Sequence, residues 1–94
     1  MRDPGLSVRC SPTADGWACQ VGLTGDAAGY EVTVDRETLD DLAPGVTPET
    51  LVEESFRFLL EREPADAILR RFELPIIGRY FADYPDEIRR RLSA

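Results

Sequence analysis

The sequence contains no histidine. Histidine is the commonest general base in enzymes and the commonest neutral metal ligand, so its absence excludes a Ser-His-Asp or Cys-His catalytic site within one chain. No glycine-rich stretch leads into a Gly-Lys-Ser or Gly-Lys-Thr sequence, so the chain has no phosphate-binding loop of that kind. We therefore expect a protein that is not an enzyme and that binds no cofactor.

Lysine is also absent, and the 11 arginines are outnumbered by 18 acidic residues, which gives a net charge of −7. Nucleic-acid affinity depends largely on clustered cations that release counterions, so a nucleic-acid partner is not expected. Long hydrophobic runs are missing too: none approaches the roughly 20 residues of a membrane span. The first residues lack the pattern of a signal peptide. We expect a cytoplasmic protein without membrane contact.

What the chain does contain is one long amphipathic stretch at residues 48–62. Thr47 can cap the first free N–H groups of a helix, and Pro48 suits the first helical position. The apolar side recurs at steps of three and four residues, at Leu51, Val52, Ser55, Phe56, Leu59 and Leu60. This pattern predicts a helix that packs on another apolar surface.

Three shorter segments before this helix alternate apolar and polar residues, at about 6–11, 17–24 and 29–35. Alternation with period two predicts strands with one buried and one wet face. Residues 13–16 and 25–28 are suited to hairpin loops. The predicted register pairs Pro12 with Trp17, Cys10 with Cys19, Val8 with Val21 and Leu6 with Leu23, and then Leu23 with Tyr30, Val21 with Val32 and Cys19 with Val34. All apolar side chains then share one face.

The rest of the chain reads as helices, so the predicted fold is α+β: a three-stranded antiparallel β-meander covered on one face. The helices are expected at about 36–42, 48–62, 64–72, 75–82 and 85–92. Proline at positions 64, 75 and 85 separates the last three. We predict one domain over residues 1–94, with residues 1–5 frayed.

The only two cysteines, Cys10 and Cys19, lie opposite each other in the predicted hairpin. They are near enough for a disulfide bond, which makes them a candidate redox pair. The alternative, which the sequence favours, is two reduced, small apolar side chains on the buried face of a cytoplasmic protein. Two cysteines without further cysteine or histidine do not complete a zinc site within one chain, so no metal is expected.

Residues 72–85 hold more large apolar side chains than one small sheet is expected to bury. We predict that some of them form a surface for a protein partner or a second copy of the chain, with Ile77 and Phe81 in a self-association contact. The candidate interface residues are Ile76, Ile77, Tyr80, Phe81 and Tyr84.

The stretches SFRFLLEREP (55–64), ILRRFEL (68–74) and IGRYF (77–81) together resemble a family of small uncharacterised bacterial proteins, to which no function is attached. The strand at 29–34 leading to the helix start at 47–49 is similar to the strand-then-helix part of HicB-type antitoxins. That family continues with a further strand, whereas helices are predicted here. Neither resemblance assigns a site residue.

The predicted function is therefore non-catalytic binding of a protein partner, or of a second copy, through the C-terminal apolar helices. The alternative is an antitoxin- or inhibitor-like protein whose acidic surface masks a basic partner. Salt separates the two, because binding through charges weakens steeply with ionic strength and apolar binding barely responds. An enzyme is the third interpretation; it requires acids that converge with Tyr30, Tyr80 or Tyr84 in a pocket.

Overall fold

The computed structural model describes residues 5–93 and shows a mixed four-stranded sheet with four helices. In chain order the elements are β1 (Leu6–Pro12), β2 (Gly16–Leu23), β3 (Asp26–Asp35), α1 (Arg36–Leu42), α2 (Pro48–Arg62), β4 (Arg71–Glu73), α3 (Ile77–Tyr80) and α4 (Tyr84–Leu92). Short 3₁₀ turns at Ala65–Ala67 and Leu74–Ile76 flank β4. The α+β class is confirmed. No helix in the described part of the chain is both long and apolar enough to span a membrane.

The first hairpin has the predicted register, in which Cys10 pairs with Cys19 and Val8 with Val21. The second hairpin is shifted by two residues from the prediction: Val21 pairs with Tyr30, and Cys19 with Val32. The turn is tighter than expected, because Leu23 already pairs with Asp26, and β3 then accommodates two extra residues in an irregularity. A shift of two residues leaves every side chain on its predicted face.

The extra residues of β3 depend on a glycine. Gly29 has φ +72°, a conformation that L side chains rarely adopt, and a Cβ there would lie 3.0 Å from the Val21 carbonyl oxygen. The main chain of β3 therefore passes close to the Val21 carbonyl oxygen at Gly29, and regular pairing with β2 resumes at Tyr30. The sequence shows the glycine, but it does not show whether the hairpin closes with the predicted loop at 25–28 or with the shorter turn between Leu23 and Asp26.

One face of the sheet carries the core. Val21, Tyr30, Val32 and Val34 are buried on this face, whereas Ser7, Arg9, Gln20 and Thr33 are exposed on the other. Helix α2 packs across β1 and β2 and buries Leu51, Val52, Phe56, Phe58 and Leu59. Its bounds match the prediction, and the Thr47 side chain accepts a hydrogen bond from the Thr50 N–H at 3.2 Å. A capped amphipathic helix on an apolar sheet face is therefore the centre of the fold.

The predicted helix at 64–72 is wrong. The chain forms only a 3₁₀ turn there and then adds β4 to the edge of the sheet, parallel to β3. The Glu31 N–H donates to the Arg70 carbonyl oxygen at 2.8 Å, and the Tyr30 hydroxyl donates to the Ala65 carbonyl oxygen at 2.7 Å. The open edge of β3 supplies backbone partners that outweigh the local helical pattern. The expectation that only helices follow α2 is wrong for the same reason.

Two further boundaries differ from the prediction. The helix expected at about 75–82 is a 3₁₀ turn followed by the four-residue α3, whereas the helix expected at about 85–92 is α4, which begins at Tyr84. The prediction that residues 1–5 are frayed falls outside the described residues except at Gly5, whose carbonyl oxygen accepts a hydrogen bond from the Thr24 N–H at 3.2 Å.

Candidate functional site

An apolar groove of about 230 Å³ lies between the C-terminal half of α2 and the segment that runs from the first 3₁₀ turn through α3. It is lined by Leu59, Glu63, Ala67, Ile68, Leu69, Phe72, Ile76, Ile77, Tyr80 and Phe81. Glu63 is the one charged side chain among them. A concave apolar surface with few polar groups is the usual form of a binding site.

The floor and the rim of the groove differ in exposure. Leu59, Ile68 and Ile77 are buried and form the floor. Leu69 and Tyr80 are 50% and 67% exposed, and they are the only exposed large hydrophobic side chains among residues 5–93. Both border the same groove. The two most exposed large apolar side chains of the described chain therefore lie together at the rim of one groove.

Aromatic contacts hold the walls in position. The Phe72 ring stacks on Phe56 with centroids 6.1 Å apart, and the Phe81 ring meets the edge of Phe58 at 5.9 Å. The Arg62 guanidinium lies 3.8 Å from the centroid of Phe58 and forms an ion pair with Asp83 at 2.7 Å. Pairs of this kind contribute about 0.5–1.5 kcal/mol each beyond simple burial, so the groove is built on anchored rings.

The predicted interface residues divide between the groove and the core. Ile76, Ile77, Tyr80 and Phe81 come together in the groove lining, but Tyr84 does not. Ile77 and Tyr84 are 2% and 1% exposed, so in the single chain both side chains belong to the core. Tyr84 is directed into the core, where its hydroxyl lies 2.7 Å from the Ser55 hydroxyl. Tyr80, Ile76 and Phe81 remain candidate contact residues.

Sequence reasoning missed Leu69 and Phe72 as members of the site. Both belong to the stretch predicted as a helix at 64–72, and neither was named as a candidate interface residue. The 3₁₀ turn and β4 instead leave Leu69 exposed and place Phe72 in the groove wall. The apolar residue types were visible in the sequence, but their direction depends on the pairing of β4 with β3.

The charges near the groove are unevenly paired. Arg70 hydrogen-bonds Asp26 and lies over the Tyr30 ring at 4.6 Å, and this bond lowers the pKa of Asp26. Glu63 lines the groove but forms no hydrogen bond or ion pair through its side chain with another described residue. The same holds for Arg79, the exposed residue next to Tyr80 on α3. Glu63 and Arg79 are thus available to charged groups of a partner.

Cys10 and Cys19 are joined by a disulfide bond. Their Cα atoms are 3.9 Å apart, Cys19 is fully buried, and Cys10 is partly buried at the edge of the sheet. The interpretation as two reduced thiols is therefore wrong for this structure. Whether the pair changes its oxidation state in function stays a prediction.

A second hollow, of about 500 Å³, has a polar lining. Asp15, Asp35, Glu37 and Glu73 surround it, and the Arg36 guanidinium lies 5.0 Å from the centroid of the Trp17 ring. Asp35 caps α1 by accepting a hydrogen bond from the Thr38 N–H at 2.9 Å, and its hydrogen bonds to Thr38 lower its pKa. Within residues 5–93 no group of three or more cysteine and acidic side chains has a metal-binding arrangement.

No protein-family model, no curated protein and no solved structure matches this chain. The resemblances noted in the sequence stay predictions. The features of this chain that bear on function are the groove, the charges around it and the exposed side chains at its rim.

Proposed function

We propose that this chain is a non-catalytic protein-interaction module that binds its partner through the apolar groove. The observation that carries this proposal is the coincidence of the exposed side chains Leu69 and Tyr80 with the rim of the groove. Exposed apolar side chains that adjoin an apolar hollow often mark a surface that binds a partner. Tyrosine is moreover one of the residues that dominate the binding energy of protein interfaces.

The groove suits side chains of a protein partner. Its floor is preformed by the buried Ile68 and Ile77, and its walls are fixed by Phe72 and Phe81, so little conformational freedom is lost on binding. Glu63 supplies one polar group that can orient the partner. An apolar centre with a polar edge is typical of protein interfaces.

A second candidate function is favoured by the polar hollow near Trp17. Its four acids, Asp15, Asp35, Glu37 and Glu73, suit an antitoxin- or inhibitor-like role in which they cover a basic partner. That role predicts a complex that dissociates as salt is raised from about 0.1 M to about 1 M, where charges are screened within about 3 Å. The groove predicts a complex that survives the same change.

Site-specific photo-crosslinking tests the proposal. Tyr80 is replaced by the photo-reactive residue p-benzoylphenylalanine, which fits at this position because Tyr80 is largely exposed. Native cells that make this variant are then irradiated. We expect a covalent adduct between the chain and a polypeptide, because residue 80 lies at the groove rim. Adding Leu69→Asp to the same chain is expected to abolish the adduct by placing a charge at the groove rim.

The matched control carries the same photo-crosslinking residue in place of Gln20, which is exposed on the outer face of the sheet. We expect no adduct from that position. A failure to obtain any adduct from position 80, or an equal yield from both positions, contradicts the proposal. An adduct that forms from position 20 alone points to the outer face and contradicts it as well.

A further inference from the structure

The surface around the groove has both a hollow and a projection. Tyr80 lines the groove and yet remains 67% exposed. Leu69 also lines the groove, and 50% of its surface is exposed. A partner of unrelated sequence needs only the hollow. A surface that contacts a copy of itself must present the receiving and the inserted group together, because a two-fold axis places the same patch on both sides.

The free charges match such an arrangement. Glu63 lies in the groove lining, and Arg79 precedes Tyr80 in α3; neither forms a side-chain hydrogen bond or ion pair with another residue in the range 5–93. If Tyr80 enters the groove of a second copy, Arg79 is carried to the rim of that groove, where Glu63 is partly buried without a cation. A two-fold axis produces this contact twice.

From these features, and resting on the proposed function of the groove, we propose that its occupant is a second copy of this chain. In the two-fold dimer Tyr80 of each copy enters the groove of the other, and Arg79 of each copy pairs with Glu63 of the other. The chain is then its own protein partner, and the dimer contact uses both the apolar groove and the two charged side chains.

The small size of the contact limits the strength that we expect of the dimer. A tyrosine buries about 150–250 Å², whereas a stable complex usually buries about 800 Å² per partner. Tyr80 alone therefore supplies only part of such an area, and we expect a small interface to which Leu69 and the groove walls also contribute. We expect a dissociation constant between about 1 µM and about 1 mM, so the measurement must extend to millimolar protein.

Sedimentation equilibrium of the purified chain over this concentration range tests the proposal. The mass is expected to rise from 10.5 kDa towards twice that value. Tyr80→Asp and, separately, Leu69→Asp are expected to weaken association at least tenfold, because each places a carboxylate in the interface. Both side chains are largely exposed in the single copy, and a circular dichroism spectrum checks that each variant folds.

Charge reversal gives the sharpest comparison. Glu63→Arg and Arg79→Glu alone are each expected to weaken association roughly tenfold, since like charges then face each other at both symmetric contacts. The double variant restores opposite charges and is expected to recover most of the loss. Arg9→Glu makes the same charge change on the exposed edge of β1 and is expected to leave association unchanged.

Two results overturn the dimer. One is a wild-type chain that stays at 10.5 kDa throughout the range; the other is a double charge variant that associates no better than either single variant. The proposed function fails separately. A monomeric chain whose residue 80 crosslinks to a different protein keeps the groove as a binding site and removes only the second copy, whereas a monomeric chain without any adduct removes both.

Discussion

The hydroxyl groups of Ser55 and Tyr84 lie 2.7 Å apart inside the core, and they join α2 to α4. The Ser55 hydroxyl also donates to the Leu51 carbonyl oxygen at 2.7 Å, so its single proton is used and the Tyr84 hydroxyl is the donor between the two. Burial raises the pKa of Tyr84 above its ordinary value of 10.0. In the described part of the chain no buried side-chain polar atom lacks a partner, so this pair is a satisfied polar contact inside the core.

Removing either hydroxyl is expected to destabilise the fold by different amounts. Ser55→Ala leaves the Tyr84 hydroxyl buried without an acceptor, which costs about 1–3 kcal/mol. Tyr84→Phe leaves Ser55 bonded to Leu51, and the cost is about 0.5–1.5 kcal/mol. Urea unfolding measures both free energies, with the exposed Ser11→Ala as the control. If Tyr84→Phe proves the more harmful change, the assignment of donor and acceptor is wrong.

Reduction of the disulfide is expected to lower the free energy of unfolding. Cys10 and Cys19 are separated by 9 positions, and closing so short a loop in the unfolded chain is worth about 2–3 kcal/mol. Urea unfolding with and without a dithiol reductant measures the difference. The Cys10→Ala, Cys19→Ala double variant is the control, and its free energy of unfolding is expected to be the same with and without the reductant. A wild-type curve that does not move while two thiols become titratable contradicts this prediction.

Acid is expected to weaken the contacts of α4. Hydrogen bonds from Arg90 and Arg91 lower the pKa of Glu87 from 4.5 to about 2. Because the folded-state pKa is the lower one, the stabilisation is complete above pH 4.5 and is lost as the pH falls towards 2. Glu87→Gln is expected to reduce stability at pH 7 and to flatten the loss between pH 4.5 and 2.

Thermal unfolding at several pH values across this interval measures the effect. Asp40→Asn is the matched control, because Asp40 is exposed and its side chain forms no hydrogen bond or ion pair with another described residue. An equal loss of stability in wild type and in Glu87→Gln between pH 4.5 and 2 shows that other carboxylates dominate the acid response.

Much of the fold could be predicted because local signals agree with one another. The first hairpin follows from the alternation around Val8 and Val21 together with a loop that closes at Gly16. The bounds of α2 follow from the Thr47 cap at one end and Pro64 just beyond the other. In each case a turn residue and a hydrophobic pattern independently indicate the same boundary.

The fourth strand could not be predicted, because nothing local specifies it. Residues 71–73 are only three long and hold a single apolar side chain, Phe72. They are extended because the backbone of β3 offers hydrogen bonds at an open edge, for example between Glu31 and the carbonyl oxygen of Arg70. This is a contact between distant parts of the chain, and it also decides the direction of Leu69.

The groove could be predicted in part. The excess of apolar residues after Phe72 indicated a surface, and Tyr80 and Phe81 do lie there. The pattern could not show that Ile77 and Tyr84 are core residues, because their burial depends on how α3 and α4 pack against α2. Residues that are similarly apolar in the sequence therefore differ in exposure in the fold.

In the proposed dimer the groove is filled by Tyr80 of another copy. The most direct measurement is a crosslinking map on purified protein, made from an equal mixture of ¹⁴N-labelled and ¹⁵N-labelled chains with p-benzoylphenylalanine in place of Tyr80. We expect mixed-isotope adducts whose second attachment point is a groove residue such as Ile68, Leu69 or Phe72. Adducts that contain a single isotope only, or mixed adducts attached to β1 or to the outer face of the sheet, contradict it.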